Sequence, residues 1–437
     1  MLSSVILSVG DELTLGQTVD TNSAWLANRL AAVGIDINGH VTVPDSREAI
    51  AAAVRYASTN VDLLVISGGL GPTEDDLTRE GLADAMGVEL VVDQLALATI
   101  RGFFDAIKRP MPPRNQVQAQ LPRGARSIPN TCGTAPGIAA TIERPGGAVC
   151  RVVVMPGVPK EMFAMWALSI LPELARLAGG AVIVSRTLHT FGLGESTIAQ
   201  RLAAVDGGLM SRTRNPSVGT TVSHGVVSLR INERADNPTT ARQELDATTR
   251  LCVDALGLLI YGQDEETLPE VVARMLRGEK RPDGSTAKIT TAESCTGGLL
   301  AKLLTDAPGS SAYFTHGYVV YANAAKTQLL GVGADLIAQH GAVSEAVASA
   351  MARGALDASE SDLALSITGI AGPDGGTPAK PVGSVCIGLS WRSPAGETVA
   401  STRSFLFPGD RDMIRDRSAK MALTLLRYHL LKQPCPL

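Results

Sequence analysis

Paired cysteines are missing from this chain. Six cysteines (Cys132, Cys150, Cys252, Cys295, Cys386, Cys435) are scattered over 437 residues with no CxxC pair and no regular spacing, which excludes a zinc ribbon or a disulfide framework and suits a reducing cytoplasm. Long apolar runs are missing too: no stretch reaches the roughly 18 to 20 uninterrupted apolar residues of a membrane span. The opening MLSSVILSVGDEL lacks a basic start and is broken by Gly10 and Asp11, so it reads as a first strand rather than a signal peptide. There is no basic excess either. With 39 Lys and Arg against 43 Asp and Glu, spread rather than clustered, the electrostatic footprint of a nucleic-acid binder is absent, while small anionic ligands stay open because they need only a local pocket. The expectation is a cytoplasmic chain that meets neither membrane nor nucleic acid.

What is present points to several α/β cores. The length predicts two to four domains, and a chain that is 45% hydrophobic and 19% charged reads as soluble and globular. SVILSV, DLLVISGG and RVVVMPG are near-continuous apolar strands, the last two ending in Gly-rich turns before helices, the pattern of a doubly wound parallel sheet covered on both faces. They define a first domain over residues 1–178. Residues 179–263 change character: a strand, the helix ESTIAQRLAAV, a hairpin around His224-Gly225, the helix TTARQELDATTRLCVDAL and the strand GLLIYG give the order βαββαβ of a small α+β module. Residues 264–437 form a third α/β domain in which hairpin-like strands mix with helices.

The third domain opens with TTAESCTGGLLAKLL. A strand ending at Ala292 and a helix starting near Gly297 predict free backbone N–H groups at Cys295 to Gly298, a seat for a phosphate or an oxyanion. Attack by Ser294 needs a base. His316 and His340 stand alone, whereas Lys326, after the strand with Tyr318 and Tyr321, lies where apolar surroundings would lower its pKa. On spacing alone the plainer reading, a capping serine and a surface lysine, stands ahead. Cys295 is a rival nucleophile, but its side chain would face away if Ser294 faces the ligand. GPDGGTPAKPVG lacks the GxxxxGK[ST] spacing of a phosphate loop and reads as a turn shaping a wall of the site.

Together AESCTGG, GSSAYFTHGYVVYANAAK, HGAVSEAVA, ITGIAGPDGGTPAKPVG and FPGDRDMIR resemble, over about 130 residues in five ordered blocks, the C-terminal domain of the CinA family, which is similar to the stand-alone nicotinamide mononucleotide amidohydrolase. The resemblance implies deamidation of nicotinamide mononucleotide to nicotinic acid mononucleotide without a cofactor. It places functional positions on Ser294, Ser311, Tyr321, Lys326, Thr368 and Arg415. In that reading Ser294 attacks the carboxamide carbon, Lys326 takes and returns the proton, the amides of Thr296 and Gly297 hold the oxyanion, and Ser311 and Tyr321 relay the proton or orient the lysine. Thr368 and Arg415 hold the ribose phosphate, with Arg411 and Arg415 as a solvated helix face the alternative. Among Ser294, Thr296 and Ser311 the nucleophile stays open.

In the first domain SGGLGPTEDDLT follows a strand. Its glycines allow close approach to phosphates, and Asp75 and Asp76 with Asp11 are candidate oxygen ligands for a divalent metal, unless they only cap the helix. GDELTLGQTVDTNS, GGLGPTEDDLTRE, NQVQAQLP, GTAPG and MPGVPKEMFAMW resemble the family's N-terminal domain, itself similar to molybdopterin-binding domains. Some family members hydrolyse ADP-ribose there with a divalent metal (magnesium, manganese or cobalt). The resemblance implies substrate contacts at Asn22, Gly68, Gly69, Gly71 and Thr73. The first motif departs at Asp11, and PNTCGTAPG at Thr131-Cys132. The middle module resembles the family's KH-like domain, with Gly192 and Gly194 but no basic stripe. Family precedent implies a homodimer. Two rivals remain: a molybdopterin-binding protein, which gives Ser294 and Lys326 no role, and a non-catalytic competence or DNA-damage partner.

Overall fold

Apolar strands without polar alternation need cover on both faces, and the first sheet has it. A computed structural model describes residues 2–144, 146–205, 207–211, 213–393 and 395–437. The first strands are β1 (Ser3–Val9), β2 (Asp36–Val43), β3 (Leu63–Ser67), β4 (Leu90–Val92), β5 (Gln120–Pro122), β6 (Arg126–Ile128), β7 (Gly137–Glu143) and β8 (Val149–Met155). Six of them form a sheet in the order β2-β1-β3-β8-β7-β6, and β4 pairs with β5 apart from it. Leu7, Leu64, Ile66, Val152 and Val154 enter one core. Their neighbours Ile6, Leu63, Val65, Val153 and Met155 enter the other, as the two-residue alternation of strand side chains dictates.

The sheet is not parallel throughout. β2, β1, β3 and β8 run parallel, but β7 pairs antiparallel with β8, and β6 antiparallel with β7. The turn closed by Arg144 N donating to Ala148 O at 2.7 Å is the reason: so short a link can join only antiparallel strands.

The middle strands are β9 (Val182–Phe191), β10 (Ser217–Ser223), β11 (Val226–Ala235) and β12 (Ile260–Gln263), with helices Glu195–Ala203 and Pro238–Leu256 between them in the expected βαββαβ order. They form one sheet, β10-β11-β9-β12. His224 and Gly225 turn the hairpin with φ of 47° and 77°, the left-handed pair that a two-residue turn requires. The chain divides into two compact units, residues up to Ser185 with Asn232–Ala247, and Arg186–Ile231 with Thr248–Leu437, so the module's residues are shared between them.

The last sheet comprises β13 (Ile289–Glu293), β14 (Phe314–Val319), β15 (Leu363–Gly369), β16 (Ser384–Arg392) and β17 (Thr398–Leu406). Its order is β14-β13-β15-β16-β17. The first three run parallel and the hairpin strands antiparallel. Helices Leu268–Gly278, Leu299–Thr305 and Arg411–Leu430 cover Ile289, Leu365 and Ile367 on one face. Helix Glu345–Ser359 covers Ala292 and Ala364 on the other. In both α/β sheets one strand has its successors on both sides: β1 between β2 and β3, β13 between β14 and β15. The chain leaves such a strand in opposite directions, and a crevice opens at its carboxyl end. Among the described residues no helix is long and apolar enough to cross a membrane.

Candidate active site

Ser294 is the first residue beyond β13, at the carboxyl end of the strand where that crevice lies. Its amide donates to Ile367 O of β15 at 2.9 Å, so the ladder runs one residue past the strand and fixes the serine backbone. The chain then turns through Gly297 and Gly298, with φ of 59° and 95°, values that glycine reaches without strain. Glu293, fully buried, holds the turn from below. Its carboxylate accepts from Gly298 N and Leu300 N at 3.0 Å and from Ala301 N at 2.8 Å, three amides that the start of a helix leaves unpaired.

This corrects the expected row of free amides. Gly298 N is held by Glu293, and Gly297 N donates to Ser294 O at 3.1 Å, so Gly297 cannot serve an oxyanion while the turn stays closed. The amides of Cys295 and Thr296 have no backbone acceptor among the described residues. Thr296 Oγ1 is buried and unpaired. Cys295 is buried, and burial pushes its thiol up to about 12, which removes the thiolate a cysteine nucleophile needs.

Lys326 comes from the first turns of helix Asn323–Leu330, which sets its side chain under the serine. It is 1% exposed. Its Nζ lies 3.2 Å from Ser294 Oγ, 3.0 Å from Val320 O and 3.2 Å from Tyr321 O. No carboxylate lies within ion-pair distance of it among the described residues. Burial therefore lowers its pKa below the ordinary lysine value, because the charged form loses its hydration and gains only carbonyl dipoles. A neutral amine has two N–H groups, which suit the two carbonyls, and one lone pair, which the geometry leaves for the Ser294 hydroxyl proton.

The other expected residues divide. Tyr321 is 61% exposed; its carbonyl, not its phenol, meets Lys326, and its hydroxyl accepts from Arg411 Nη2 at 3.3 Å. Arg411 also donates to Gly372 O at 2.6 Å. Arg415 donates to Thr296 O at 2.9 Å, with Asp412 at 3.7 Å, so it braces the nucleophile turn. Thr368 gives its hydroxyl proton to Ala342 O at 2.8 Å, a tie between backbone segments. Ser311 is misplaced for the expected chemistry. It precedes Phe314, which pairs with Ile289 at the start of β13, so the length of that strand, roughly 15 Å at about 3.3 Å per residue, separates it from Ser294.

The first sheet's crevice is a cavity of about 450 Å³ lined by Gly68, Gly69, Gly71, Glu12, Asp45, Asp75, Asp76, Gln118 and Glu161. Gly68 and Gly69 have φ of 109° and 64°, and a side chain on Gly68 would collide with Val9 O. Asp76 accepts from Gly71 N at 2.7 Å, Thr73 N at 2.9 Å and the Thr73 hydroxyl. Arg79, 2% exposed, donates to Leu70 O at 2.8 Å and Gly71 O at 2.7 Å. Asn22 donates to Gly157 O at 2.7 Å and Ser67 Oγ at 3.3 Å. The expected metal triad is not assembled. Asp11 exchanges bonds with Asp45, each carboxylate accepting from the other's amide at 3.1 and 2.9 Å, and Asp76 is spent on the glycine loop. Among the described residues no three His, Cys, Asp or Glu side chains stand close enough to share an ion.

Comparison with known proteins matches this architecture along the chain. Residues 5–176 match the model of a probable molybdopterin binding domain, 185–262 the damage-inducible protein CinA KH domain and 266–430 the CinA C-terminal domain. A putative competence-damage inducible protein of Symbiobacterium thermophilum is 42% identical over 435 residues, 98% of each chain. The chain belongs to the CinA family. A CinA-like protein of Geobacter sulfurreducens is 42% identical over 429 residues, covering 97% of this chain and 98% of its own. Of solved structures, a CinA protein from Thermoplasma acidophilum is 36% identical over 39% of this chain and 97% of its own, with a TM-score of 0.36.

Within this CinA chain, sequence reasoning missed Glu293, Arg79, Glu12 and Asp45. Glu293 stands in the quoted motif AESCTGG, and an acid just ahead of a helix start was the available signal. Nothing in the sequence announced that Arg79 would be buried among carbonyls.

Proposed function

We propose that the chain is a nicotinamide-nucleotide amidase, hydrolysing nicotinamide mononucleotide to nicotinic acid mononucleotide and ammonia. The observation that carries the reading is the buried Lys326 Nζ 3.2 Å from Ser294 Oγ, with two carbonyls as its other partners. An amine so placed is a general base for the serine. Ser294 Oγ bonds to the carboxamide carbon as its proton passes to Lys326 Nζ. The amides of Cys295 and Thr296 are the donors open to the oxyanion. Collapse breaks the C–N bond, Lys326 returns the proton to the departing ammonia, and an acyl ester on Ser294 remains. Water then attacks the ester, Lys326 takes its proton, and the serine oxygen leaves and is reprotonated. Arg411, without a carboxylate at ion-pair distance among the described residues, is available to the substrate's phosphate. The choice of a pyridine nucleotide rests on family resemblance.

The test is ammonia release from nicotinamide mononucleotide by the purified chain, with and without a chelator, beside Ser294→Ala. Release that resists the chelator and is lost in the variant is expected. A well-folded wild type that releases none would overturn the reading.

A second reading concerns the first crevice: metal-dependent hydrolysis of ADP-ribose to AMP and ribose 5-phosphate. Asp45 supports it. Burial and the neighbouring carboxylates of Asp11, Glu12 and Asp75 together push its pKa up, against the bond from the Asp11 amide. Oxygen donors there exceed positive charge, which suits a hard divalent cation. Among the described residues no three acids converge, so Glu12, Asp45 and Asp75 would supply only part of its ligands, and the substrate's own phosphates and water the rest. Such an ion would neutralise a pyrophosphate and acidify an attacking water. AMP formation that requires added magnesium, manganese or cobalt is expected. Absence of turnover with all three would leave the crevice a binding site.

A further inference from the structure

Opposite the Ser294 crevice, at the starting ends of β13 and β15, a cavity of about 560 Å³ opens, lined by Ala287, Asp362, Leu363, Trp391, His429 and basic residues. Trp391 and His429 put their rings 4.6 Å apart at its wall. Neither the indole N–H nor either imidazole nitrogen has a hydrogen-bond partner among the described residues, and none is sealed from solvent. Burial lowers the His429 pKa, against the pull of Glu279, so the ring is a neutral platform at pH 7.

The charge around this platform is uneven. Lys280, Arg281, Arg392 and Lys432 line the cavity against Glu279 and Asp362. Arg281 is neutralised by Asp362 and Arg392 by Asp357, each at 2.7 Å. Lys280 and Lys432, both exposed, have no ion pair among the described residues; Lys280 reaches only the Thr286 hydroxyl, at 3.0 Å. An aromatic wall whose two rings are tilted 50° to each other, beside two unneutralised ammonium groups, offers a base a ring face to stack on and its phosphate a charge partner. The volume lies in the range of small-molecule sites, and exceeds what a simple aromatic acid fills.

We propose that this cavity is a second nucleotide site, taking a nucleoside monophosphate with its base against Trp391 and His429 and its phosphate met by Lys280 and Lys432. It shares no residue with the Ser294 site and does not depend on the amidase reading.

The test is titration of the full chain with AMP, followed by tryptophan fluorescence and calorimetry, in the wild type, Trp391→Phe and Lys280→Glu/Lys432→Glu. A saturable quench that disappears in Trp391→Phe is expected. The double variant, altered only at exposed positions, should bind about tenfold more weakly and lose most of the salt dependence. Adenosine and inorganic phosphate should each bind more weakly than AMP. Unchanged fluorescence in the wild type would overturn the proposal, as would AMP binding in the double variant equal to wild type; heat without a quench would place the AMP elsewhere.

Discussion

The two crevices occupy the same topological position in two sheets and use an acid in the same way. Asp76 gathers Gly71, Thr73 and the Thr73 hydroxyl around one carboxylate, and Glu293 gathers Gly298, Leu300 and Ala301 around another. In each case a carboxylate sets the shape of a glycine turn. The difference lies across from the turn. The first crevice is open and faces Glu12, Asp45 and Asp75; the second faces a single buried lysine. Topology thus supplies a place, and the side chains opposite the glycine turn supply the chemistry.

The comparison breaks most sharply at Lys326. Lys326→Met should lower ammonia release by about 10³-fold or more, as removal of a base from a nucleophile pair does, while circular dichroism stays that of the wild type. A variant retaining most of the rate would leave the two crevices chemically alike. The same lysine predicts a pH profile. Its folded pKa lies below the ordinary 10.5, so the neutral fraction and the rate rise with pH and level off below the ordinary lysine range. Stability should also rise with pH from the lowered value up to the ordinary one, because across that window the unfolded chain binds the proton that the folded chain has released. A rate independent of pH from 6 upward to the ordinary lysine range, roughly 10, would remove the amine from the chemistry.

The carboxylate clamps come next. Glu293→Ala strands three amides of which at least Leu300 N is fully buried, and should cost about 3 kcal/mol or more in chemical denaturation. Gly68→Ala, forced against Val9 O at a left-handed backbone position, should cost about 1–3 kcal/mol. Equal losses would make the two turns mechanically equivalent. The smallest effect is at Asp45, whose carboxylate is crowded by like charge. Asp45→Asn keeps an oxygen for the Asp11 amide and should change metal-free stability by no more than about 0.5 kcal/mol, toward greater stability. A marked loss instead would show that the acids are paired rather than in excess.

The strands and the glycine turns were legible because they depend on local pattern, apolar runs and turn residues. The Ser294 and Lys326 pairing was not, since spacing alone favoured a capping serine and a surface lysine, and only the resemblance to the family brought the two together. Nor were the roles of acids. Asp11, Asp75 and Asp76 look alike in sequence, but only the fold decides that Asp11 trades amides with Asp45 and Asp76 closes the loop. Strand register was equally hidden. Ser311 stands seventeen positions after Ser294 in the sequence, and only the pairing of Phe314 with Ile289 shows that it lies at the far end of the sheet. The antiparallel edge of the first sheet was missed because RVVVMPG gives no sign of its partner's direction.

The depth of Lys326 has a consequence for anyone surveying the chain with amine-reactive reagents. An amine of lowered pKa is ordinarily labelled first, since acylating and methylating reagents consume the unprotonated form. At 1% exposure this one is out of their reach, so a lysine whose amine gives up its proton more readily than an ordinary one should stay silent in a peptide map, and should become labelled only when the fold opens.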